Sequence, residues 1–155
     1  MAMNMEGEER IAAPVSVVWA ALNDPDVLRS TIPGCQSLDK KSDTELAATV
    51  VVKIGPIKAT FQGEVTLTNL NPPHSYTIGG EGKGGIAGFA KGGADVKLTE
   101  DGADATVLRY SVKADVGGKI AQLGSRLIDS TAKKLAGQFF QSFAERVGGA
   151  LPPSV

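Results

Sequence analysis

The sequence predicts an α+β fold in which a curved antiparallel sheet of about seven strands wraps one long C-terminal helix, with two short helices after the first strand. Three observations carry this expectation. Apolar residues recur at every second position through the middle of the chain, the signature of strands with one buried face. Glycine and proline pairs cut that stretch into segments of hairpin length. The segment from Lys119 to about Val147 then changes to helical spacing, and it is the only element large enough to cover an apolar sheet face.

Each element has a local reason. Gly7 to Ala12 reads as a short first strand, though its periodicity is weak. Pro14 suits a first helical turn, where its missing N–H costs nothing, and Val15, Val18, Trp19 and Leu22 give that helix one buried face. Asp24-Pro25 reads as an N-cap and first-position proline for a second short helix, ending before the Pro33-Gly34 turn. Leu46, Ala48, Val50, Val52 and Ile54 alternate up to Gly55-Pro56. Ile57 to Leu67 then alternates with Lys58, Thr60, Gln62, Glu64 and Thr66. Asn71-Pro72-Pro73 is a loop. Tyr76, Ile78, Gly80 and Gly82 continue the pattern to a turn at Gly84-Gly85, and a strand from about Ile86 to Leu98 follows. Thr106 to Ala114 is the last strand, broken by Gly117-Gly118. Ile120, Leu123, Leu127, Ile128, Leu135, Phe139 and Phe143 supply the apolar face of the long helix, roughly 40 Å at ~1.5 Å per residue.

With 155 residues and neither repeats nor a linker, the expectation is one domain over 1–155, with 149–155 a loose tail. The single cysteine, Cys35, excludes an internal disulfide framework and a cysteine-rich zinc site. A net charge of −1 with interspersed signs argues against a duplex nucleic-acid surface. No apolar run is long enough to span a bilayer, and Met1 to Arg10 lacks the apolar core of a signal peptide, so the expected location is cytoplasmic.

Several local motifs resemble the carbon monoxide dehydrogenase G-subunit (CoxG) family, a branch of the START/polyketide-cyclase (SRPBCC) superfamily. They are Ala13-Pro14 with Val18-Trp19, Asn23-Asp24-Pro25, Ile32-Pro33-Gly34-Cys35, Ile54-Gly55-Pro56-Ile57, Gly80-Glu81-Gly82-Lys83-Gly84, Gly92-Gly93-Ala94, the run from Gly118 to Arg126, and Phe139-Phe140. The match covers nearly the whole chain, although none of these motifs is a catalytic signature. The resemblance implies a helix-grip fold with an apolar cavity between helix and sheet. It also implies a non-catalytic accessory role toward a molybdenum hydroxylase of the carbon monoxide dehydrogenase type, with quinone handling or peripheral contact with the inner face of the membrane.

The residues carry a separate argument for a cavity. The sheet face expected to look at the helix alternates small side chains: Gly80, Gly82, Gly88, Ala90, Gly92 and Ala94. Interiors close-pack, so such a face either lets the helix approach closely or leaves room for a guest. Glycine also serves strand curvature, and Ala121, Gly124, Ala132, Ala136 and Gly137 on the helix would permit a close approach. The expected walls of a pocket for a hydrophobic, lipid-like molecule are Trp19, Leu28, Phe61, Tyr76, Leu108 and Tyr110 from sheet and short helices. Leu123, Leu127 and Phe139 are the expected contribution of the long helix. Gly88 and Phe89, beside Gly84-Gly85, form a candidate gate that could touch a membrane or partner.

Catalytic and cofactor signals are thin. Gly80-Glu81-Gly82-Lys83-Gly84-Gly85 has the spacing of a dinucleotide fingerprint, but a strand follows where that motif needs a helix. His74, the only histidine, stands beside two prolines at a strand start and reads as exposed, and Cys35 reads as a small buried residue. Lys133-Lys134 reads as a solvated helix face, with anionic headgroups as the alternative. No cofactor and no metal are expected. Two rival functions remain: a cavity enzyme of the same fold, a cyclase or hydrolase, and an interaction module with a filled core.

Overall fold

The alternation in the middle of the chain becomes one antiparallel seven-stranded sheet in a computed structural model that describes residues 1–148. In chain order the elements are β1 (Ala2–Ile11), α1 (Val15–Leu22), α2 (Pro25–Thr31), β2 (Cys35–Lys40), β3 (Glu45–Ile54), β4 (Ile57–Asn71) and β5 (Ser75–Lys83). β6 (Phe89–Glu100), β7 (Thr106–Gly117) and α3 (Ser125–Gly148) complete the fold. The strand order is β1-β7-β6-β5-β4-β3-β2, so the N-terminal strand closes one edge against the last strand. The tail expected at 149–155 lies outside the described residues.

Local chemistry explains the short helices. Pro25 opens α2 and the Asp24 carboxylate accepts from the Asp26 N–H at 2.9 Å, the expected cap. The buried Thr106 hydroxyl donates to the Ala13 carbonyl at 2.8 Å and ties the start of β7 to the chain entering α1. Gly148 ends α3 against Ala12, where a Cβ would collide with the Ala12 carbonyl.

Four expectations about element bounds are corrected. β1 starts at Ala2, not Gly7, because its whole length pairs with β7 from Ala2↔Asp115 to Ile11↔Thr106, and that ladder outweighs the weak local pattern. Cys35 opens a strand instead of sitting in a turn: β2 pairs with β3, with a register shift between Cys35 and Ser37. β6 begins at Phe89, after a 3-10 turn over Gly85–Ala87 and Gly88 at φ 124°. The terminal helix begins at Ser125. Lys119–Leu123 is a separate 3-10 turn, bounded by Gly118 and Gly124 at φ 83° and 93°, a left-handed backbone that an α-helix does not tolerate.

Two clusters hold the layers together. One gathers Ile11, Val18, Leu98, Leu108 and Phe143, where α1 and the C-terminal half of α3 meet the sheet. The other, Ile54, Val116, Ile120 and Ile128, closes the opposite end beneath the start of α3.

Candidate functional site: a cavity between sheet and helix

The alternating face of the sheet does not close against α3. A cavity of about 700 Å³ separates them. Its floor is built from Ala48 and Val50 on β3, Phe61 and Gly63 on β4, Ile78 and Gly82 on β5, Ala90 on β6, and Val112 and Ala114 on β7. Ala132, Leu135, Ala136, Phe139 and Phe140 of α3 form its roof, and Leu28, Ile32 and Pro33 form a side wall at α2. The space exists because small residues face small residues: the helix carries alanines where the sheet carries glycines and alanines.

The glycines divide into two kinds. A Cβ on Gly82 would only touch the Phe61 ring, at 3.9 Å, and one on Gly63 would meet nothing nearer than 3.7 Å. These positions are open to the cavity. A Cβ on Gly80 would press into the Glu64 carbonyl and Val65, and one on Gly92 into the Lys113 carbonyl. Those two are required by close approach of neighbouring strands, and they let the sheet curl.

Of the residues expected at the walls, Leu28, Phe61, Tyr76, Leu108, Tyr110 and Phe139 line the cavity. Trp19 does not; it stands behind Tyr76, ring edge to face with centroids 5.3 Å apart. Leu123 and Leu127 do not either. The break at Gly124 moves them into the second cluster, packed around Ile54 and Ile120. Gly88 and Phe89 lie outside the cavity at the β5–β6 tip. Phe89 is 38% exposed beside Ile86 at 84%, and its ring covers Gly117. Sequence reasoning missed the wall from Ile32, Pro33 and Leu38, together with Met5 of β1. Recognising Cys35–Lys40 as a strand would have exposed Leu38.

The lining is mostly apolar; Tyr76, Tyr110 and Asn23 are its uncharged polar side chains, and Lys40, Glu81 and Lys91 are its charged residues. Burial pushes the Tyr76 phenol well above its ordinary value. Tyr110 is raised by burial and then by the nearby Glu9 charge, and its ring stacks on Phe140 at 5.1 Å. Both hydroxyls are therefore neutral hydrogen-bonding groups at physiological pH. The Cys35 thiol is raised by burial, an effect the Arg29 charge only partly offsets, so it is not an activated nucleophile. His74 sits at a strand end, 4.0 Å from Glu100, and does not line the cavity. The glycine-rich stretch from Gly80 runs through β5 into a 3-10 turn and then β6, so no α-helix N-terminus stands behind it for a phosphate. No group of three or more His, Cys, Asp or Glu side chains among the described residues could hold a metal ion.

Charge is segregated along the strands. Paired rows place Asp115, Lys91, Glu81 and Glu64 side by side across β7, β6, β5 and β4. Beyond that row, toward the β3–β4 and β5–β6 tips, the strands carry Lys53, Lys58 and Lys83 and no carboxylate. Lys119 and Arg126 join them at the start of α3. These cations form no ion pair among the described residues. At the opposite end Arg10 pairs with Asp101, while Lys41 reaches Glu64 of the carboxylate row.

The architecture and the cavity have counterparts in known proteins. A family model for the carbon monoxide dehydrogenase G-subunit (CoxG) matches residues 7–148. A conserved protein from Geobacillus kaustophilus is 30% identical, with a TM-score of 0.88, covering 94% of this chain and 95% of that one. A START superfamily protein from Mycobacterium smegmatis superimposes with a TM-score of 0.70 at 14% identity, covering 93% of this chain and 96% of that one. The Zhui aromatase/cyclase from Streptomyces gives 0.70 at 10% identity, over 95% and 94% of the two chains. The last two establish the helix-grip fold of the START/SRPBCC type and nothing about activity. No curated protein matches the chain.

Proposed function

The chain belongs to the carbon monoxide dehydrogenase G-subunit (CoxG) family, and from that premise we propose that it is a non-catalytic accessory protein that binds a hydrophobic, lipid-like molecule for a molybdenum hydroxylase of the carbon monoxide dehydrogenase type. A prenylated quinone is the leading candidate ligand. The observation that carries this reading is the apolar cavity of about 700 Å³ held open beneath α3. Its size falls within the ~300–1,000 Å³ of ordinary small-molecule sites. A filled-core interaction module would have no such space.

Titration with menaquinone, read by Trp19 fluorescence, tests the proposal, because Trp19 contacts Tyr76, which lines the cavity. Saturable quenching is expected, together with a bound species in native mass spectrometry of gently purified protein. Absence of both with any prenyl-quinone would remove the carrier. The competing reading is a cavity enzyme, supported by the two tyrosines in the lining. General acid–base chemistry needs a group poised near the working pH. Here both phenols are raised and the lone histidine lies outside the cavity.

No helix among the described residues is long and apolar enough to cross a membrane. Lys53, Lys58, Lys83 and Lys119, which form no ion pair among the described residues, lie on the same side as the exposed Ile86 and Phe89 of the β5–β6 tip and support a peripheral contact with an anionic, cytoplasmic membrane face. Co-sedimentation with phosphatidylglycerol vesicles, and not with phosphatidylcholine vesicles, is the expected result.

A further inference from the structure

The cavity has two chemically different ends. Along β5, Tyr76 and Gly82 both face inward and are six residues apart, roughly 20 Å at ~3.3 Å per residue. Around Gly82 the lining includes the apolar Phe61, Ala90 and Val52, and the Glu81 and Lys91 of that end stand opposite each other across β5 and β6. Around Tyr76 stands the C-terminus of α1. There the Asn23 side-chain amide donates to the Trp19 carbonyl at 2.9 Å, and the Trp19 ring meets the Tyr76 ring edge-on.

Tyr76 is the unusual member of this set. Its side chain is only 5% exposed, yet no described residue hydrogen-bonds its hydroxyl. Among the described residues no polar side-chain atom is both sealed from space and unpartnered. The hydroxyl is therefore not sealed off, and Tyr76 is one of the residues that line the cavity. A tyrosine this deeply buried whose hydroxyl has no protein partner is uncommon in a settled core. The Trp19 ring packs edge-on against the Tyr76 ring and favours this orientation of it.

Resting on the ligand-binding reading above, we infer that Tyr76 is the polar anchor of the cavity and donates a hydrogen bond to an acceptor oxygen at one end of an elongated apolar ligand. The rest of that ligand lies along β5 over Gly82 and Gly63, where nothing polar would be left unpaired. The ligand class is thus a long hydrocarbon body carrying a terminal carbonyl or comparable acceptor. Pure hydrocarbons leave the Tyr76 hydroxyl unsatisfied and bind more weakly.

A matched pair of probes tests this: methyl tetradecyl ketone and hexadecane, each displacing a fluorescent apolar dye from the whole chain. The wild-type protein is expected to prefer the ketone by about three- to tenfold. Tyr76→Phe, which keeps the ring and its Trp19 contact, should erase that preference while leaving hexadecane binding intact. Tyr110→Phe should preserve it. No preference in the wild type, or an undiminished preference in Tyr76→Phe, overturns the anchor. Hexadecane binding without discrimination would sink the anchor alone. Failure of both probes to displace the dye would sink the carrier reading with it.

Discussion

One helix roofs two very different interiors. Toward its C-terminus α3 places Phe143, with none of its surface exposed, among Ile11, Val18, Leu98 and Leu108. Phe139 and Phe140 interlock beside it, with ring centroids 4.9 Å apart. Two to three turns earlier the same helix presents Ala132 and Ala136 to a floor of Gly63, Gly82 and Ala90, and the cavity separates the two layers there. The helix is the same scaffold throughout. Side-chain size on the facing strands decides whether a layer becomes core or cavity. The packed end supplies the stability with which the hollow end is kept open.

The sharpest way to break this contrast is Phe143→Ala. Truncating a fully buried aromatic should cost about 3–5 kcal/mol, read by urea denaturation. Leu135→Ala, over the cavity, should cost clearly less because its neighbours already face open space. Equal losses would mean that the two ends are packed alike. Next come the two kinds of glycine. Gly92→Ala drives a methyl into the Lys113 carbonyl and should destabilise by about 1–3 kcal/mol. Gly82→Leu should leave the melting temperature much nearer to wild type and abolish binding of an apolar dye. If Gly82→Leu still binds the dye normally, the ligand does not lie over β5.

Smaller effects test the charged tip. Lys58→Glu with Lys83→Glu should weaken co-sedimentation with phosphatidylglycerol vesicles by roughly fivefold or more per residue, since a lysine near an anionic surface is worth about 1 kcal/mol. Dye binding in the cavity should not change. The smallest expected effect is at Glu9, on the inner face of β1, whose carboxyl is raised by burial. The folded state then binds its proton more tightly than the unfolded chain does, so this residue makes stability fall as pH rises through and beyond the ordinary glutamate range. Glu9→Gln should flatten that decline in thermal melts at stepped pH. An unchanged profile would show that the carboxyl is fully solvated.

The legibility of the sequence differs from region to region for physical reasons. Strands with one buried face are written in period two: β4 alternates in burial, and the alternating apolar and small residues of β3 and β5 are ones that line the cavity. β1 and β2 are hard to read because edge strands are defined by the partner they pair with: β1 by β7, and β2 by β3 across an irregular register at Gln36. The continuous helix expected from Lys119 breaks at Gly124, a residue whose positive φ only the folded chain demands. That break takes Leu123 and Leu127 out of the site. The tip residues Gly88 and Phe89 fall outside it: Gly88, at φ 124°, stands in the turn before β6, and the Phe89 ring packs over Gly117 instead.

By itself the sequence determined the order of elements, the face of each middle strand that turns inward, and the smallness of the residues on that face. These follow from spacing and side-chain volume, which are properties of neighbouring residues. Only the tertiary structure decided that Gly80 and Gly92 serve strand approach while Gly63 and Gly82 open onto space, and that the deeply buried Tyr76 finds no hydrogen-bond partner for its hydroxyl among the described residues. Both depend on what residues distant in sequence place within a few ångströms, and no local pattern encodes that distance.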